Sequence, residues 1–427
     1  MNKKLSEDKE KILAISAIQK KLLGKRLSYK EIYSIMDEIA HEKLSDVLTT
    51  YFVASSFKEG YSPKELFYFT KAMVETGNKL SFKGIVADKH SVGGIAGTRT
   101  TMILVPIIAA AGFKIPKISS RAITTPAGTA DVMESIASVE FGKREIENLV
   151  NEVGGCIAWN GNLGIAPADD IIIRVEEPLS FESFDKIIIS VMAKKVAAGT
   201  THLVLDLPYG KTAKMHHFID AENVAKKFVD LGKHFGIKII VDINEMLEPA
   251  GRGIGPILEA RDVLYVLEQD KDRPLRLEAK ATTLAGMLLD LIYKEKKVKN
   301  IPLGGGEEEA KRILKSGAAL KKFREIVAAQ KGNKNLSSHN LKLAKYKKEV
   351  NSTVSGKIKD INNYNLNTIA KLLGSPNDKQ AGIYLLKKLD HSVVKNETMF
   401  ILYSSDKYHL EEAEFTIKNL PIFKIER

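Results

Sequence analysis

The chain carries a single cysteine, a single tryptophan and no long apolar run. One cysteine, Cys156, excludes an intramolecular disulfide and suits a reducing cytosol. It stands between Gly155 and Ile157, which reads as a small buried filler and not a nucleophile. The longest apolar stretch, Met102 to Phe113, is too short to span a bilayer and contains Pro106, so no membrane partner is expected. The lysine-rich N-terminus has no signal-peptide pattern. Adjacent His216 and His217 point apart on any regular element and have no second pair nearby, so no metal site is expected. Acidic residues are outnumbered, 53 Asp and Glu against 65 Lys and Arg, for a net charge of +12. Such a surface draws in anions. The aromatics are not interleaved with basic residues, which argues against a single-strand platform and a specific nucleic-acid partner.

What is present is enough for two or three domains: 427 residues, 44% hydrophobic and 28% charged. The first block reads as helical. Lys9 to Lys21 is amphipathic, and Ser28 with Glu31 forms a capping box ahead of Ile32, Ile35 and Ile39. A helix over Ser45–Phe57 ends before Gly60, and Ser62-Pro63 opens another. From Ile85 onward short apolar strands alternate with helices. Ile85–Ala87, Lys117-Ile118, Ile171–Val175, Leu203–Leu207 and Ile237–Val241 read as strands. Ala221–Phe235 and Asp185–Ala198 read as helices. This alternation predicts an α/β sheet with ligands at the strand ends. The glycines of Glu248–Gly255 suggest a tight helix start with a structural role. Gly332–Ser338 reads as a linker, and Tyr346–Arg427 as a small α+β unit. The expected fold class is therefore α/β, with three parts. They are a helical domain over residues 1–78, completed by the helix at about 185–198, a large mixed α/β domain over 79–334, and a C-terminal α+β domain over 345–427.

The most informative stretch runs from Asp88 to Asp131. Asp88-Lys89-His90-Ser91-Val92-Gly93-Gly94 combines charge, a hydroxyl and paired glycines, which is what a phosphate-holding loop needs. Glycine lets backbone N–H groups approach an anion, Ser91 adds a donor and Lys89 a positive charge. A helix over Thr101–Gly112 leads to a second loop, Ser119-Ser120-Arg121-Ala122-Ile123-Thr124-Thr125-Pro126-Ala127-Gly128-Thr129-Ala130-Asp131. Its hydroxyls surround one arginine. Two such loops at one sheet edge make a pocket for a small, oxygen-rich ligand.

The first loop resembles the phosphate loop of the thymidine/pyrimidine-nucleoside phosphorylase family. The second resembles the AMP phosphorylases, the nucleoside 5′-monophosphate branch, and departs from the thymidine enzymes. The resemblance covers nearly the whole chain. It implies a nucleoside phosphorylase/phosphoribosyltransferase type of fold and a homodimer at least. AMP phosphorylases carry an additional N-terminal domain ahead of the helical block, and this chain is read as starting at that block. The resemblance implies a phosphate site of Lys89, Ser91, Thr101, Ser119 and Thr129. It implies substrate contacts from Gly94, Ser120, Arg121, Ala122, Ile123, Thr124, Thr125 and Lys214. Ser190 and Lys194 lie four residues apart, so they share one helix face, and they match the family's base-binding pair.

Phosphorolysis needs no nucleophilic side chain and no cofactor; inorganic phosphate is a co-substrate. It does need a proton for the departing base. The aspartate donor of the AMP phosphorylases aligns with Glu182, with Asp185 close by. The arginine that holds the pyrimidine carbonyl in the thymidine enzymes aligns near Glu176, with Arg174 two residues away, so that grip is altered. The expected substrates are AMP, CMP and UMP, with ribose 1,5-bisphosphate and free base as products. Three other readings compete. One is a thymidine or pyrimidine-nucleoside phosphorylase. Another is an enzyme like anthranilate phosphoribosyltransferase, whose diphosphate loop Asp88–Gly94 lacks. The last is a basic nucleic-acid-binding protein.

Overall fold

The computed structural model describes residues 2–55, 60–122, 125–176, 183–296 and 304–426, with residues 2–8 by backbone alone. Helices α1 (Asn2–Leu22), α2 (Tyr29–Ala40), α3 (Asp46–Ser55) and α4 (Pro63–Glu75) come first. Strand β1 (Ala87–Ser91), helix α5 (Thr101–Ala110) and strand β2 (Ile115–Ser119) follow. Then come α6 (Thr129–Glu134), α7 (Lys143–Val153), β3 (Gly155–Trp159), α8 (Pro167–Glu176) and α9 (Phe184–Ala197). Next are β4 (His202–Tyr209), α10 (Phe218–His234), β5 (Lys238–Glu245) and β6 (Gly253–Ile254). Helices α11 (Pro256–Leu267), α12 (Leu275–Lys296), α13 (Gly305–Lys315) and α14 (Ala318–Ala329) lead to the last region. That region holds β7 (Tyr346–Asn351), β8 (Gly356–Ile361), α15 (Asn363–Leu372), β9 (Gly382–Leu385), β10 (Ser392–Val393), β11 (Thr398–Ser404), α16 (Lys407–Thr416) and β12 (Phe423–Glu426).

These elements form two compact units. One takes Met1–Val86, Asn160–Thr201 and Asn223–Ile239; the other takes Ala87–Trp159, His202–Glu222 and Ile240–Arg427. The first is helical, and its caps follow from the sequence. Ser28 and Glu31 close a capping box on α2, and Ser62 and Glu65 close one on α4 with Pro63 in its first turn. Ile32, Ile35, Met36 and Ile39 are fully buried. Glu65 also accepts from Lys21 at 3.0 Å and from the Leu27 N–H at 3.2 Å. Residues 171–175 are helical, not a strand: they belong to α8. Pro167 at its start and Asp169 and Asp170 in its first turn suit a helix N-terminus, and Ile171, Ile172 and Val175 fill its buried face.

In the second unit β1, β4 and β5 form a sheet in that spatial order, with β1 and β4 parallel from Ala87↔His202 to Ser91↔Asp206. Strands β2 and β3 form a parallel pair. Cys156 lies buried in β3, and burial pushes its thiol up to about 12. The strand expected at Ile85–Ala87 lies further on, so Asp88, Lys89, His90 and Ser91 are strand residues and the loop begins at Val92. Pairing with β4 causes the shift, because it satisfies their backbone groups. Helix α5 is apolar all round and buried from Thr101 to Ala109.

The C-terminal region is not self-contained. Strand β6 joins β9, giving a sheet of order β6-β9-β11-β7, while β10, β8 and β12 form another. The Glu248–Gly255 segment supplies that strand, so its role is structural. Asp262 accepts the N–H groups of Arg252 at 2.6 Å and Gly253 at 2.7 Å, holding the turn. Nor is Gly332–Ser338 a free linker. Leu336 is buried and its carbonyl accepts from Arg324, and the Ser338 hydroxyl donates to Glu268 at 2.5 Å.

Helices α12 and α13 meet through glycine. A Cβ on Gly286 would lie 2.4 Å from Glu307 Cα, and one on Gly306 would lie 2.2 Å from the Gly286 carbonyl oxygen. Both neighbours are backbone and cannot yield. Gly286→Ala is expected to cost about 1–3 kcal/mol, as overpacking does. An unchanged denaturant midpoint would refute this.

Candidate active site

Two of the predicted phosphate residues, Lys89 and Ser91, meet one buried carboxylate. Lys89 and Ser91, two apart on β1, share a strand face. Both meet Asp206 of β4. The Ser91 hydroxyl donates to its Oδ2 at 2.6 Å, and the Lys89 Nζ lies 3.7 Å from the same oxygen. Lys280 of α12 donates to Asp206 Oδ1 at 2.8 Å, and Asn244 of β5 donates there at 3.0 Å. Lys89 is 2% exposed and Asp206 1%. Burial pushes the Lys89 ammonium down to about 8; Asp206 opposes the shift, while Lys280 and Arg99 add to it. Asp206 is held below the usual carboxylate range, because Lys89 and Lys280 outweigh its own burial. The result is a buried lysine that is still a cation near neutral pH.

Beyond β1 the chain turns at Gly93 and Gly94. Gly94 has φ +70°, and a Cβ on Gly93 would lie 2.4 Å from Pro208. Lys214 packs here: its N–H donates to the Gly93 carbonyl at 3.1 Å, and its Cγ would lie 3.3 Å from a Gly94 Cβ. Thr101 is buried at the start of α5. Arg99 ties the two loops together. It forks onto Glu259 of α11 at 2.6 and 2.8 Å, donates to Thr129 Oγ1 at 3.1 Å, and donates to the Ala127 carbonyl at 2.8 Å. Thr129 therefore accepts from Arg99 and keeps its own proton to give.

The second loop is folded on itself. Asp131 Oδ2 accepts the N–H groups of Ala122 at 2.6 Å and Gly128 at 2.9 Å. Ser119 donates to the Ser120 carbonyl at 3.3 Å, and Thr125 to the Ala127 carbonyl at 3.1 Å. Arg121 pairs with Glu134 at 2.6 Å and Glu140 at 3.0 Å, and its guanidinium carbon lies 4.3 Å from the ring centre of Trp159. Ile123, Thr124 and the proton-donor candidate Glu182 lie outside the described residues.

The predicted base-binding pair lies in the helical unit and shares an acceptor. Ser190 donates to Asp169 Oδ2 at 2.8 Å, and Lys194 Nζ lies 2.6 Å from the same oxygen. Burial alone would lower the Lys194 pKa, but Asp169 outweighs it and the net shift is upward. Burial raises the pKa of neighbouring Asp170, which accepts from Asn160 at 2.9 Å. With its hydroxyl proton given to Asp169, Ser190 presents lone pairs, while Lys194 keeps donors. An acceptor beside a donor fits a nucleobase edge that carries a donor beside an acceptor.

Asp185, the other proton-donor candidate, is engaged within the helical unit. It is 6% exposed, pairs with Lys227 at 2.5 Å and accepts the Tyr61 N–H at 2.8 Å. Both oxygens serve as acceptors, so it ties the helical unit together. Arg174 pairs with Asp46 at 3.0 Å, and Glu176 with Lys186 at 2.7 Å. His216 and His217 are exposed. Among the described residues no group of His, Cys, Asp and Glu gathers as a metal site. Sequence reasoning missed Arg99, Asp169, Asp206 and Lys280. Asp206 in an apolar strand was the one visible signal, since an isolated buried carboxylate demands partners.

Residues 15–77 match the helical bundle domain of a glycosyl transferase family, and residues 83–320 match its a/b domain. Residues 357–421 match a pyrimidine nucleoside phosphorylase C-terminal domain. The chain is 40% identical to the AMP phosphorylase of Methanococcus vannielii over 95% of its length and 79% of that protein's. It is 39% identical to that of Methanocaldococcus jannaschii, covering 98% and 82%, and 38% identical to that of Natronomonas pharaonis, covering 94% and 79%. The fold resembles the crystal structure of anthranilate phosphoribosyltransferase from Thermus thermophilus, with TM-score 0.60 and 18% identity over 74% of this chain and 99% of that one. These likenesses run through all three matched regions, and the chain belongs to the thymidine/pyrimidine-nucleoside phosphorylase family of glycosyl transferases, in its AMP phosphorylase branch.

Proposed function

We propose that the protein cleaves the N-glycosidic bond of nucleoside 5′-monophosphates by phosphorolysis. Likeness over nearly the whole chain to proteins named AMP phosphorylase carries this reading. A phosphate oxygen forms a bond to the sugar C1′ as the bond to the base nitrogen breaks. Ribose 1,5-bisphosphate and the free base are the products. Lys89, Ser91, Thr101, Ser119 and Thr129 hold the phosphate, whose charge also steadies the oxocarbenium-like sugar. Ser190 and Lys194 grip the base, and Glu182 or Asp185 supplies the proton to its leaving nitrogen. Ser120 to Thr125 and Gly94 contact the nucleotide, and inorganic phosphate is the co-substrate. The protein works as a homodimer in the cytoplasm, by resemblance to its family. No described helix is long and apolar enough to cross a membrane.

The test is phosphate-dependent base release from AMP, CMP, UMP, thymidine and uridine. Release should require phosphate and favour the nucleotides. Equal release in phosphate-free buffer would make the protein a hydrolase. The match to a pyrimidine nucleoside phosphorylase domain at 357–421 favours a second reading, which wins if thymidine or uridine is the better substrate. Lys214 lies against Gly93 and Gly94, and by resemblance to the AMP phosphorylases it contacts the nucleotide, with the 5′-phosphate as its expected partner. Lys214→Ala should weaken turnover of AMP more than of thymidine, by about 1.5–3 kcal/mol for a lost charged hydrogen bond. Equal loss on both would remove Lys214 from the 5′-phosphate site.

A further inference from the structure

Lys379 lies in the C-terminal region, far along the chain from the second loop. Yet its ammonium lies 3.0 Å from Asp131 Oδ1 and 2.8 Å from Glu134 Oε2. Both carboxylates are on α6 and both continue into the loop. Asp131 accepts the Ala122 and Gly128 N–H groups with its other oxygen. Glu134 pairs through Oε1 with Arg121, which stacks on Trp159. One lysine thus sits behind both anchors of the loop.

Its own position is fixed by backbone. The Ile257 N–H at the start of α11 donates to the Lys379 carbonyl at 3.0 Å. Strand β6, just before α11, pairs with β9, just after Lys379, through Gly253↔Tyr384 and Ile254↔Ile383. No side chain fits between them: a Cβ on Gly382 would lie 2.0 Å from the Ile254 carbonyl oxygen, and one on Gly255 would lie 2.4 Å from that of Ala381. The C-terminal sheet therefore delivers Lys379 to α6 with little freedom.

We propose that Lys379 is a positioning residue for the nucleotide-contacting loop, holding Asp131 and Glu134 so that Ser120, Arg121 and Ala122 are set before substrate arrives. The role of the loop rests on the nucleotide-phosphorylase reading above. Lys379 touches no reacting atom. Without it, Asp131 loses its counter-ion but keeps its two N–H donors, and α6 keeps its cap. Glu134 keeps only Arg121, and the loop samples more arrangements. A looser loop weakens nucleotide binding before it weakens chemistry.

Trp159 is the only tryptophan in the chain and reports directly on Arg121. The experiment compares the unmodified protein, Lys379→Met and Lys379→Arg by tryptophan emission and by AMP phosphorolysis at saturating phosphate. In Lys379→Met the emission should shift, and the KM for AMP should rise about ten-fold with kcat changed less than about two-fold. Lys379→Arg, which keeps the charge, should restore both. An unchanged KM overturns the proposal, with or without an emission shift, because the lysine is then only a structural contact. A fall in kcat at constant KM overturns it too. If the unmodified protein phosphorolyses no nucleotide but AMP quenches Trp159, and does so more weakly in Lys379→Met, the positioning role stands and the assigned reaction fails.

Discussion

Asp206→Asn is expected to disable phosphate binding and to weaken the fold at once. The single carboxylate faces Lys89, Lys280, Ser91 and Asn244 at 1% exposure. Neutralising it leaves the buried Lys89 ammonium and the partly buried Lys280 ammonium without their shared counter-ion. Stranding a buried charge in this way costs about 3–5 kcal/mol. The pH dependence carries the sharper signal. Lys89 stands at about 8 because burial outweighs Asp206. Phosphate affinity should therefore fall as pH rises through about 8, as Lys89 gives up its proton. Asp242, Asp88, Lys117 and Arg99 surround the same cluster and remain in the variant. Removing the charge of Asp206 lowers the Lys89 pKa further, so the alkaline loss moves to lower pH. Lys280→Met should move it the other way, since the Lys280 charge depresses Lys89. Stability follows the opposite course. Between about pH 8 and about 10.5 the unfolded chain binds the Lys89 proton and the folded one does not, so this group's contribution to stability rises with pH while phosphate binding falls. Phosphate titrations across that range check the prediction. Coincident pH profiles for the unmodified protein and both variants would show that Lys89 does not hold phosphate.

Lys194→Met should lose base release on every substrate. Its ammonium is the counter-ion of Asp169, which is 2% exposed, and Ser190 shares the same oxygen. A lost charged hydrogen bond to the base costs about 1.5–3 kcal/mol, or about 10- to 150-fold in turnover. The substitution also leaves Asp169 unpaired beside Asp170, at a further cost in stability of about 3–5 kcal/mol. Adding Asp169→Asn separates the two effects. The double variant has no stranded charge and should recover most of the stability without recovering turnover. Activity that returns with stability would mean that the pair only holds the helices, and that the base is gripped elsewhere.

The legible parts of this protein were those set by neighbours in sequence. The capping box at Ser28 and the helix start at Ser62-Pro63 appear in the sequence because cap and partner are close neighbours. Helix α5 was visible as an apolar run, and Ser190 and Lys194 as a shared helix face. Errors arose where a local pattern had two readings. Ile171 to Val175 fits a short strand or a helix turn, and the choice falls to packing on the helical unit.

The sequence by itself determined which residues could carry phosphate and base chemistry, because donors, charge and glycine turns are properties of the residues themselves. Only the tertiary structure decided what those residues are bonded to. Lys89 and Ser91 are brought onto Asp206 by a parallel strand whose register no nearby residue encodes. Asp185 became a tie to Lys227 and Tyr61 through contacts 42 and 124 residues away in sequence. Lys379 reaches α6 only because β6 pairs with β9. Buried charge must find a partner of opposite sign, and in a folded chain that partner is chosen by proximity in space, which local sequence does not specify.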